Sequence, residues 1–118
     1  MGTNQDEKIE KMTFASVFPH YQNKVKRKGQ SLEDLNLIVQ WLTGLNQNQL
    51  NKCIEQKLTF KELFEIASIP SNAFNIKGSI CGIKVQEISN PLTQKVRFLD
   101  KIVDDLAKGK SVEKIISI

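Results

Sequence analysis

The chain is 118 residues long (13.4 kDa), 40% hydrophobic and 25% charged, with a formal net charge of +4. That length suits one buried core and is short for two, and the composition excludes a disordered, collagenous or solenoid chain. The charge is uneven: residues 11–32 hold Lys11, Lys24, Lys26, Arg27 and Lys28 and no acid, so this window alone supplies the excess.

Residues 1–12 read as a flexible polar arm, with Ile9 as the one large apolar residue between charged neighbours, and residues 13–118 as a single helical domain. The arm lacks the apolar centre of a secretory signal. Gly2 is followed by Asp6 where an acylation motif needs Ser or Thr. No apolar run approaches the roughly 18 residues of a membrane span. The expectation from these features is a cytoplasmic chain, away from membranes, with Cys53 and Cys81 reduced.

The first helix is expected over 16–28, where Phe14, Val17, Phe18, Tyr21 and Val25 recur at helical spacing. With Ser16 as the cap, Pro19 falls in the first turn, and Gly29 ends the helix. Ser31 and Asp34 open a second helix bearing Leu35, Ile38, Val39 and Leu42, stopped by Gly44. Asn46 with Gln49, flanked by Leu45 and Leu50, starts a third that turns Leu50, Cys53 and Ile54 inward. Thr59 with Glu62, flanked by Leu58 and Leu63, starts a fourth carrying Phe60, Leu63, Phe64 and Ala67.

Periodicity fails over residues 69–89. Ile83 and Val85 alternate with polar neighbours as in a strand, while Ile80, Ile83 and Glu87 also share a helical face; a loop with one short extended run near 79–86 is the better fit. Asn90 and Pro91 then start the longest helix, to about Lys108, with Leu92, Val96, Leu99, Val103 and Leu106 in one stripe and Lys101 on the polar side. That stripe should cover the one on Leu35, Ile38, Val39 and Leu42. Ser111 caps a last turn with Val112, Ile115 and Ile116, and the apolar end at Ile118 should dock. The fold class is therefore all-α: one compact bundle of about five helices.

Several phrases of the sequence carry a resemblance. Thr13-Phe14-Ala15-Ser16-Val17-Phe18-Pro19, Trp41-Leu42-Thr43-Gly44, Ile80-Cys81-Gly82, Asn90-Pro91-Leu92 and the run from Arg97 to Lys110, followed by Glu113-Lys114-Ile115, stand in family order and spacing. Over about residues 12–116 the chain resembles the bacterial family catalogued as domain of unknown function 2200. The resemblance implies a small, largely helical bacterial protein and carries no catalytic residue, substrate or cofactor. Gln86 departs from the family's commoner acid in Lys84-Val85-Gln86-Glu87, so the resemblance does not carry a role for an acidic group to this position.

No residue set reads as catalytic, and no cofactor or metal motif is present. His20 stands alone beside Pro19, and Cys53, Cys81 and His20 lack the close spacing of a metal pair. Asp100, Asp104 and Asp105 could hold a cation, but Asp104 with Lys108 and Arg97 with Asp100 are ordinary helical ion pairs. Gly78, Ser79, Cys81 and Gly82 form the one candidate ligand turn, by backbone N–H groups or a Cys81 thiol beside Lys84; tight-turn packing is its plain reading. Trp41 sits just off the main apolar face of its helix and either extends the core or meets a partner.

The leading expectation is a non-enzymatic interaction module that binds a protein partner or a second copy of itself. Its motive is that Trp41, Phe60 and the apolar C-terminus exceed what a short bundle needs. The alternative is nucleic-acid binding through Lys24, Lys26, Arg27 and Lys28, joined by Lys108, Lys110 and Lys114 if the two clusters meet. A third reading is an enzyme with its site at the Gly78 to Gly82 turn.

Overall fold

The computed structural model describes residues 4–80 and 82–118. Residues 1–3 of the polar arm, Gly2 among them, and Cys81 of the glycine turn lie outside the described residues. In chain order the helices are α1 (Asn4–Lys11), α2 (Phe14–Arg27), α3 (Leu32–Thr43), α4 (Gln47–Glu55), α5 (Phe60–Ile66), α6 (Pro91–Ala107) and α7 (Val112–Ile116). Between α5 and α6 lie a 3-10 turn (Ser71–Asn75), strands β1 (Ser79–Ile80) and β2 (Ile83–Lys84), and a second 3-10 turn (Val85–Glu87). The molecule is a compact, mostly α-helical globule with one two-stranded antiparallel ribbon, pairing Ser79 with Lys84 and Ile80 with Ile83. The extended reading of 79–86 therefore holds over these four residues.

Local chemistry sets most helix starts. Ser31 Oγ accepts from the N–H groups of Glu33 and Asp34, and Gly44 closes α3 in the left-handed region at φ 69°. A Cβ on Gly44 would stand 2.5 Å from the Ser68 carbonyl oxygen, so the glycine also lets the chain after α5 pass against the end of α3. Asn46 with Gln49 and Thr59 with Glu62 form complete reciprocal capping boxes. Asn90 Oδ1 accepts from Thr93 N–H, with Pro91 at the first helical position, where its missing donor costs nothing.

α6 is the spine, touching α1, α2, α3, α5 and α7. Leu99, Ile102, Val103 and Leu106 face Leu35, Ile38, Val39 and Leu42 in one core with Phe14, Val25, Phe60 and Leu63, as the two stripes require. Two positions on α6 correct the sequence reading. Phe98 is fully buried while Leu92 is only partly so, because the 3-10 turn lays Phe74 edge-on against Phe98, with ring centroids 5.8 Å apart. Lys101 is largely buried at 14% exposure, its ammonium 2.9 Å from Asp105 and its stem against Gly78.

Two further corrections fall at the N-terminal end. Residues 4–11 form α1 rather than an arm without secondary structure, because Ile9 is buried and Thr93 Oγ1 donates to Asp6 across 87 positions of sequence. The cap of α2 is Thr13, not Ser16, which leaves Pro19 inside the helix and the Ala15 carbonyl without its helical partner. Thr13 is chosen by a bridge to Thr59, in which Phe14 N–H donates to the Leu58 carbonyl and Phe60 N–H to the Met12 carbonyl.

Candidate functional site

Tyr21 lies on the buried stripe of α2, and Arg97 and Asp100 lie one turn apart on α6. Packing of the two helices joins them: the Tyr21 hydroxyl donates to Asp100 Oδ1 at 2.5 Å, and Arg97 Nη1 donates to Oδ2 at 3.1 Å. Burial, first, and then the Asp100 carboxylate push the Tyr21 phenol well above its ordinary range, against a smaller opposing pull from Arg97. Tyr21 is thus a fixed proton donor to Asp100, and each Asp100 oxygen is engaged.

The trio borders a cleft of about 470 Å³ between α1, α2, α5 and α6. Ile9, Met12, Val17, Phe60 and Val96 supply apolar walls, and Lys8 on α1 adds a second cation beside Arg97. Tyr21 and Asp100 also border a smaller hollow of about 270 Å³ with His20, Lys24 and Ile80. A carboxylate held by a phenol and a guanidinium fixes Tyr21 and Arg97 at the border of the cleft.

None of Gly78, Ser79 and Gly82 borders this cleft, and Cys81 lies outside the described residues. Gly78 N–H donates to Gln86 Oε1 at 3.2 Å, and its carbonyl accepts from Val85 N–H at 3.0 Å. A Cβ there would stand 2.6 Å from Lys101 Cε, at a φ of +120° that side chains rarely adopt. Gly78 therefore serves close packing, and its amide is already used. At Gln86 the required group is an acceptor oxygen, which the amide supplies as a carboxylate would.

The basic cluster divides. Lys24 is bonded to Asp104 at 2.9 Å, and Lys108 takes the other Asp104 oxygen at 2.9 Å. Lys26, Arg27 and Lys28 are exposed and have no ion-pair partner among the described residues. Asp105 is held by Lys101 and, at 3.7 Å, by Lys110, so the α6 acids carry ion pairs, and no metal-holding group of three occurs among the described residues. His20 is exposed, and Cys53 is a buried free thiol whose ionisation burial disfavours.

The apolar residues that suggested a partner are used internally. Phe60 is fully buried between Phe14 and Phe64, and Trp41 packs partly buried on the core. Among the described residues, the large apolar side chains left exposed are Met12, Leu37, Ile66, Phe74, Ile83 and Ile118. Phe74 stands apart because its turn is pinned: Asn72 Nδ2 donates to the Ile116 carbonyl at 2.9 Å and Asn75 Nδ2 to the Ile118 carbonyl at 3.3 Å. Phe98 supports one edge of the ring, and 54% of the residue still faces outward beside the C-terminal segment. The sequence reading missed Phe74 and the Tyr21–Asp100 contact; the one signal for the latter was a tyrosine on an apolar stripe, whose hydroxyl needs a partner.

A small α-helical protein with a charged cleft and a displayed aromatic is the class these features define. Residues 8–117 match the family described as "Uncharacterized protein conserved in bacteria (DUF2200)", and the chain belongs to that family. Among solved structures it is similar to one described as "Crystal structure of uncharacterized protein SP1917". That similarity has 36% identity and a TM-score of 0.87, covering 94% of this chain and 92% of the other. No match was found among curated proteins. Among the described residues, no helix is long and apolar enough to cross a membrane.

Proposed function

We propose that the protein is a cytoplasmic, non-enzymatic interaction module whose partner is another protein or a second copy of itself. The observation that supports this is Phe74, a half-exposed aromatic held rigid by Phe98 behind it and by two asparagine clamps to the C-terminal segment. Binding energy at protein interfaces concentrates on such pre-ordered aromatic anchors, because little side-chain freedom is lost when they are covered. The test is fluorescence-detected sedimentation of labelled protein, alone at rising concentration and in extract of the native host. The expected result is a boundary faster than that of a 13.4 kDa monomer, lost in Phe74→Ser. Monomeric sedimentation throughout, or a boundary unchanged by the substitution, contradicts the proposal.

A second reading, nucleic-acid binding, is supported by the meeting of Lys24 and Lys108 at Asp104 and by the exposure of Lys26, Arg27 and Lys28. Asp104 offsets part of that charge. Binding to random duplex that weakens steeply with salt, and is lost on replacing Lys26 and Arg27 by Ala, is the result this reading requires.

A further inference from the structure

The α1 cleft offers a ligand a narrow chemistry. Asp100 is engaged at both oxygens, by Tyr21 and Arg97, and the Tyr21 proton is committed to Asp100. What remains for a ligand is donors: the Lys8 ammonium and the guanidinium N–H groups that Arg97 does not spend on Asp100. With Lys8, Arg97 and Asp100 as its three charged groups, the lining carries a net single positive charge above walls of Ile9, Met12, Val17, Phe60 and Val96.

We propose that this cleft is a binding site for a small organic monoanion with an apolar body, its carboxylate or equivalent group meeting Lys8 and Arg97. Its volume of about 470 Å³ lies in the range of small-molecule sites, with room for on the order of ten to fifteen heavy atoms at the ~30 Å³ a water takes in the liquid. Asp100 holds one Arg97 N–H at 3.1 Å, which fixes the guanidinium at the border of the cleft. A neutral ligand would leave the single excess positive charge of the lining uncompensated, and a cation would add to it. The site is independent of Phe74, which does not line it.

The test is a titration of the amide NMR spectrum with hexanoate and, in parallel, with hexanamide, the neutral counterpart of the same shape. Hexanoate is expected to shift the resonances of Ile9, Met12, Val96 and Arg97 saturably. Its affinity should exceed that of hexanamide by about tenfold or more, the scale of one charge-assisted contact. Lys8→Ala, at an exposed α1 position that keeps the fold, should weaken hexanoate severalfold and leave hexanamide unchanged. Absence of saturable shifts at these residues up to about 10 mM, well beyond the weakest useful affinities, overturns the site. Equal affinity for the two probes, or no effect of Lys8→Ala on hexanoate, overturns its assignment to an anion.

Discussion

Lys24 on α2 and Lys108 at the end of α6 take the two oxygens of one carboxylate, Asp104, each at 2.9 Å. Burial raises the Asp104 carboxyl, and the hydrogen bonds and charges of the two lysines outweigh it, so the group titrates below its ordinary value. The stabilisation is therefore present above the unfolded-state value, about 3.9, and is lost as pH falls through the lower folded-state value.

Asp104→Asn should cost on the order of 1 kcal/mol at neutral pH, the upper end for a partly exposed pair. The difference from the parent should shrink below pH about 4, as the unsubstituted carboxylate also loses its charge. Urea denaturation of both proteins at pH 7 and pH 2.5 measures it. Lys24→Ala should cost more than Lys108→Ala, because Lys108 is 70% exposed and within its own helix, whereas Lys24 ties two helices together.

The α6 spine predicts unequal losses along one helix. Leu99→Ala and Phe98→Ala should each cost about 2–5 kcal/mol, since both are fully buried. Lys101→Ala should cost less than either but not nothing, because its stem packs on Gly78 and its ammonium holds Asp105. Equilibrium denaturation of the three variants ranks them, and equal losses would contradict the packing.

Tyr21→Phe removes the hydroxyl that joins α2 to Asp100. A hydrogen bond to a charged group predicts a loss of about 1.5–3 kcal/mol. Because the folded phenol is pushed up, its contribution is complete below the unfolded value near 10 and is lost as pH rises toward the folded one. In an alkaline titration followed by phenolate absorbance, Tyr21 should ionise only above the ordinary range or together with unfolding. A simple step near 10 in the native protein would contradict the Asp100 contact.

What the sequence made legible was local. The boxes at Asn46 with Gln49 and Thr59 with Glu62 close within three residues, so their chemistry is written in adjacent letters. The stripes of α3 and α6 were equally plain, because helical period alone selects their faces. The site was different: Tyr21 meets Asp100 across 79 positions, and Asp6 meets Thr93 across 87. Nothing in a local window records such partners. α1 was hidden for the same reason, since a single buried Ile9 makes no period, and Phe74 was hidden because its support, Phe98, comes from another element. The Ser16 cap failed because a long-range bridge between Thr13 and Thr59 outranked a local choice.

If Phe74 docks another protein or a second copy of this chain, photo-cross-linking from that position in the native host will trap the partner. A photoreactive phenylalanine analogue in place of Phe74 should give one discrete covalent adduct on irradiation, either a dimer of this chain or a complex with a second protein. The same analogue at exposed Lys52 on α4 should not give it. No adduct from position 74, or the same adducts from both positions, would contradict the claim.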